Sequence, residues 1–257
     1  MTDSLASPTP TNKAASGGWN QFNEERVVPI KKYAVRNPSL IVGLALLFGM
    51  LLLVGIGHLI WDTEMFRPLS TPTRLPPTGE HPFGTDTQGR DLLAIAILGT
   101  PLTLRIGLIA GIVAISLGTV AAFLSAYYRG VIDGAIRSVV DVGLAMPALL
   151  ILILVRINVG RELSTDEMGI AIGLTSWVFP ARTIRSQVLV MREQAYVELS
   201  RLSGTSGMGI IFKEMMPNLI PYITASLVAS VAGAILASIG LEAVSYTHLT
   251  LPTILLV

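Results

Sequence analysis

The residues able to do chemistry in this 257-residue chain are few and scattered. It has no cysteine, which excludes disulfides, thiolate metal sites and cysteine nucleophiles. The three histidines, His58, His81 and His248, have no metal-ligand spacing, so no metal site is expected. No Ser/His/Asp set and no paired carboxylates on one apolar segment can be assembled. The stretch Gly204–Gly209 lacks the Lys-Ser/Thr that completes a phosphate-binding loop. The chain is therefore expected to hold no catalytic residue, no cofactor and no nucleotide. Its polar chemistry gathers instead in Arg182–Asn218. There Arg192, Glu198 and Arg201 offer charge-assisted hydrogen bonds, while Ala195 and Leu199 could seat in an apolar groove. Such a segment is either a docking surface or a solvated loop whose charges only set topology.

The elements that must position these residues are apolar. The chain is 51% hydrophobic and 14% charged, with a mean hydropathy of +0.65, whereas a soluble domain is about one quarter charged. A net charge of +1 gives no footprint for nucleic acid. Stretches near the roughly 20 apolar residues that a membrane helix needs run over Ser39–Ile60, about Leu102–Ala126, about Ser138–Val155, the shorter Met168–Thr183 and Leu219–Leu241. The reading is an all-α polytopic membrane protein with five spans. With the N-terminus inside, twelve of the 18 Lys and Arg fall on the inner side, as the positive-inside rule prefers. Residues 1–36 are polar and read as a flexible cytoplasmic tail without a signal peptide. The first span occupies 37–61, an outer proline-rich segment 62–100, and the remaining spans 101–243, interrupted by the inner loop 182–218.

Within that loop, Ile184, Val188 and Met191 at helical spacing predict a helix leaving the membrane. Glu198–Gly204 reads as a short amphipathic helix ended by glycine, and Pro217 suits the first turn of the next helix. Gly107, Gly111 and Gly118 would permit close helix contact. Thr175, Ser176, Trp177 and Pro180 bring polar atoms and a kink into the fourth span and are candidate pathway-lining residues; Trp177 could equally anchor at the membrane interface.

Glu198, Gly204 six residues on and Pro217 thirteen further resemble the "EAA" loop of binding-protein-dependent ABC importer permeases. The sequence departs from that pattern with Leu199 and Ser200 for two alanines, Glu214 at an apolar position and Met216 for leucine. His81-Pro82-Phe83-Gly84-Thr85-Asp86, followed by Gly89-Arg90-Asp91, is similar to the stretch before the second span in the dipeptide/oligopeptide subfamily. Tyr127–Gly130, Met146–Leu150 and Arg192–Val197 look like further segments of it, in the same order.

The resemblance implies the permease fold, with six spans, in a cell (inner) membrane. It implies a transport subunit rather than an enzyme, forming half of a path for peptides. Its expected partners are a second permease, a cytoplasmic ATPase that binds ATP and Mg, an extracytoplasmic solute-binding protein and membrane lipid. Arg192, Ala195, Tyr196, Glu198, Leu199, Arg201, Gly204 and Pro217 would form the ATPase-coupling loop. Related permeases carry nickel or oligosaccharides, and a secondary transporter is the rival of another class. His81–Asp91 would contact the binding protein or fold over the helix ends. The final residues, 244–257, are too short and proline-broken to span and look like translated adapter sequence, so they are expected to be a non-native tail on a truncated chain with five spans of the six.

Overall fold

A computed structural model describes residues 36–161 and 163–248. The N-terminal tail and most of 244–257 lie outside the described residues. The chain divides into two compact units, Met1–Glu64 and Met65–Val257.

The first unit contains helix α1, Pro38–Ile60. Proline at its first position fits a site whose N–H has no partner anyway. The helix is apolar on every face, with a mean hydropathy of 2.7, as expected of a membrane span rather than a surface helix. Its 23 residues rise about 35 Å, enough for a hydrocarbon core of about 30 Å. It stops where Trp61 turns to extended backbone, its N–H still donating to the Gly57 carbonyl at 2.8 Å.

The second unit is built around α2, Leu92–Tyr128. The expected start near Leu102 is corrected: the helix begins ten residues earlier. Asp91 caps it, Oδ1 accepting from Ala94 N at 2.8 Å. Pro101 removes only one backbone donor, the bond to Ile97, and burial of Ala94 and Ile97 holds the turns before it. At 37 residues the helix is about 55 Å long and must project beyond the bilayer.

The third expected span is broken. Helices α3, Gly130–Ala145, and α4, Ala148–Val159, meet at an angle of 84°. Pro147 drives the preceding Met146 out of helical backbone (φ −84°, ψ 133°) by clash with its ring. The region of the fourth expected span also consists of two helices, α5, Thr165–Ser176, and α6, Val178–Arg192, which join at Trp177. Ser164 and Glu167 form a capping box at the start of α5, so this boundary is locally encoded.

After the short helix α7, Ala195–Leu202, the chain rises through Gly207–Gly209 and a π-helical turn, Ile210–Met215, into α8, Met216–His248. Pro217 lacks the N–H that would have paired with the Lys213 carbonyl, and the widened turn sits immediately before it. By length and composition, three helices of the described residues can cross a membrane, or four with α3 and α4 as one bent span. The chain is an all-α, multi-pass membrane protein.

Small residues let these helices approach α2. A Cβ on Gly111 would come within 2.6 Å of Val231 on α8, and one on Gly118 within 2.9 Å of the Ala181 backbone on α6. The glycines therefore serve two partners, not one.

Candidate functional site

Helix α7 buries one side chain at the end of the bundle. Val197 is fully buried among Phe123, Ile184, Val188, Ile210 and Met215. The other apolar residues of the helix face out: Leu199 is 67% and Leu202 77% exposed, with Ala195 and Tyr196 also on the surface. An eight-residue helix is too short to be stable alone, so its burial on one side fixes which side is presented. Val197 was not among the residues expected from sequence, where nothing local sets it apart from Leu199 or Leu202.

Gly204 behaves as expected. Its φ of +79° allows a Schellman ending, with Thr205 N donating to the Ser200 carbonyl at 3.1 Å and Gly204 N to Arg201 at 3.0 Å. Both bonds satisfy carbonyls that the helix end leaves open.

The charged residues divide by direction. Glu198 and Arg201 pair with each other at 3.0 Å on the exposed face. Arg192 turns inward. Its Nη1 donates to the Ala126 and Tyr127 carbonyls at 3.0 and 3.1 Å, and the guanidinium lies 5.9 Å from the Tyr127 ring centroid. Cations are favoured at a helix C-terminus, and here Arg192 caps α2. Burial, with Arg129 and Arg201 nearby, pushes its pKa below the usual guanidinium value.

Two of the departures from the family pattern touch each other. Ser200 Oγ donates to Glu214 Oε1 at 3.2 Å, tying α7 to the π-helical turn. Asn218 Nδ2 donates to the Glu214 carbonyl at 2.7 Å, at the first turn of α8 where Pro217 also lies. Met208 and Phe212 extend the exposed apolar surface beside this tie.

A second feature is a groove of about 690 Å³ between α4, α5, α6 and α8. Ser176 and Pro180 line it together with Thr183, Tyr222, Ser226 and Ser230. Thr175 and Trp177 do not line it. The Thr175 hydroxyl donates back to the Ala171 and Ile172 carbonyls, and Trp177 packs against Val140, Val178 and Ala181. The indole thus shares a cluster with Val140 of α3, which spacing alone did not show.

The outer motif folds on itself. His81 Nδ1 lies 2.8 Å from Asp91 Oδ2, both side chains buried, and Asp91 N donates to Met65 O at 3.0 Å. Gly84 and Gly89 take φ of +74° and +68°, and a Cβ at either would lie 2.4 Å from a backbone oxygen, that of Leu75 or Thr71. Asp86 Oδ1 accepts from the Gln88 and Arg90 amides while Oδ2 accepts from Arg90 Nε. Burial raises the Asp86 pKa, but these hydrogen bonds and the Arg90 charge outweigh it and leave the carboxyl below its ordinary value.

Comparison with known proteins fits this arrangement. The family described as binding-protein-dependent transport system inner membrane component matches residues 114–255. A putative peptide transport system permease protein of Brucella abortus biovar 1 is 34% identical over 247 residues, covering 94% of this chain and 78% of the relative. The dipeptide transport system permease protein DppC of Bacillus subtilis is 30% identical over 202 residues, 79% of this chain and 62% of that protein. The oligopeptide transport system permease protein OppC of the same organism is 31% identical over 177 residues, 69% and 56% of the two chains.

Proposed function

The chain belongs to the family of binding-protein-dependent transport system inner membrane components, and from that membership we propose that it forms half of the path of an ATP-driven peptide importer. A second permease subunit would complete the path, a solute-binding protein would deliver peptide, and a separate ATPase would bind ATP and Mg. The N-terminus and α7 would face the cytoplasm, in line with the twelve-to-six bias of basic residues. Peptides are favoured over nickel or oligosaccharides by the peptide permeases among the relatives. The groove supports the same preference, because scattered hydroxyls on an apolar wall suit backbone amides without selecting side chains.

The observation that carries the coupling role is α7 itself, a helix anchored by Val197 that leaves Leu199 and Leu202 uncovered. An amphipathic helix of this kind seats its apolar face in a groove of its partner. Glu198 and Arg201 frame that face, while Arg192 and the Ser200–Glu214 bond connect it to α2 and α8. Closure of the ATPases would thus move two helices of the bundle together. The test reverses the exposed pair, Glu198→Lys with Arg201→Glu, and adds Leu199→Asp. The expected result is a membrane-inserted permease that no longer retains its ATPase or drives uptake. Uptake at the parental rate would overturn the coupling role.

A further inference from the structure

A second cavity, of about 310 Å³, lies between α2, α3 and α6. It is at the end of the bundle that carries α7, since Ser125 on its wall adjoins the Ala126 carbonyl capped by Arg192. Arg137, Arg182 and Arg185 line it, with Asp141 as the one carboxylate on the wall and Ile136 and Val140 as an apolar side.

The three arginines are not equivalent. Arg185 is committed to Asp133 in a two-pronged pair: Nε donates to Ser125 Oγ at 2.8 Å and to Asp133 Oδ1 at 2.9 Å, and Nη2 to Asp133 Oδ2 at 2.8 Å. Arg137 approaches Asp133 only to 3.9 Å, and Arg182 approaches Asp141 only to 3.8 Å. Those separations are ion pairs without hydrogen bonds. Two guanidinium forks, each with five donors, therefore stand at the cavity with their donor geometry uncommitted to these carboxylates. With Asp133 behind Arg185 and Asp141 on the wall, the cluster holds three cations against two anions and so one net positive charge.

Planar forks match the oxygens of a phosphate bidentately. The apolar side of the cavity and the outward-facing Val139 and Val142 on α3 suit what is attached to that phosphate. We propose that this cavity binds the phosphate headgroup of an anionic phospholipid such as phosphatidylglycerol, with Arg137 and Arg182 as the selecting residues and Arg185 as the residue that holds α6 to α3. A free phosphate shares the charge chemistry but would leave the apolar wall uncovered. The inference rests on membrane placement and not on peptide transport or ATPase coupling, so lipid binding is read without either.

The full chain, purified in mild detergent with any subunits that accompany it, is equilibrated with mixed micelles of phosphatidylglycerol and phosphatidylcholine, and retained lipid is measured by native mass spectrometry. The expected result is preferential retention of phosphatidylglycerol. Replacing Arg137→Gln and Arg182→Gln together should weaken it by roughly 25-fold, about fivefold for each arginine. The preference of the unaltered protein tests the same selectivity without any substitution. Equal retention of the two lipids would overturn the proposal. So would a double variant that melts like the parent yet keeps its phosphatidylglycerol, or inorganic phosphate raising the melting temperature as much as the lipid does.

Discussion

The two polar connections at opposite ends of α2 make an instructive pair. Both carry a dense motif, 81–91 before the helix and 192–217 beyond it, yet they use their residues in opposite directions. In the first, His81, Gly84, Thr85, Gly89 and Asp91 are all buried, and the polar groups are satisfied within the loop. In the second, a helix buries a single valine and leaves its apolar face open. A motif whose hydrogen bonds close on themselves specifies a fold, whereas the second leaves Leu199 and Leu202 exposed, which is the feature the proposed coupling role rests on. The outer loop still presents Pro82, Phe83, Thr87 and Gln88 to solvent, but these are the motif's edges and not its centre.

Substitutions can break that contrast at either end. The largest loss of stability is expected for Gly89→Val, which places a branched Cβ at positive φ against the Thr71 carbonyl; about 3 kcal/mol or more should be lost, read as a lower melting temperature and early proteolysis near residues 65–91. Asp91→Ala removes both the α2 cap and the partner of a buried histidine, for about 2 kcal/mol, by the same measurement. Val197→Ala should cost about 1–2 kcal/mol and loosen α7, so hydrogen exchange would rise in 195–202 while 65–91 stays protected. Leu199→Asp should change stability by under about 0.5 kcal/mol yet abolish ATPase association; that separation of stability from function is the sharpest difference between the two ends.

The smallest effect concerns pH. Asp86 titrates lower in the folded protein than unfolded, so its contribution is present above the unfolded value near 4 and is lost as pH falls through the folded one. Exchange protection in 81–91 should therefore decline below about pH 4, and Asp86→Asn should remove that dependence.

Much of this was legible in local pattern. Continuous apolar runs mark α1 and α8 because a helix in lipid must be apolar all round, and Gly204 marks the end of α7 through its turn chemistry. The start of α2 was not legible, because the burial of Ala94 and Ile97 that holds the turns before Pro101 is not visible in local pattern. The break at Met146-Pro147, with its 84° bend, interrupts what reads in sequence as one apolar run. Arg192 reads as one more exposed charge until the end of α2 is placed beside it.

Sequence alone determined that the chain lives in a membrane and where its most apolar helices, α1 and α8, run, since hydropathy acts over neighbouring residues; the inner loop was marked by its resemblance to a family motif. Tertiary structure alone decided which motif residues face inward. Burial of Val197, the pairing of Ser200 with Glu214, the clustering of Trp177 with Val140 of α3 and the grouping of Arg137, Arg182 and Arg185 all join residues that are not neighbours along the chain. Tertiary packing brings them together, and no local preference encodes that.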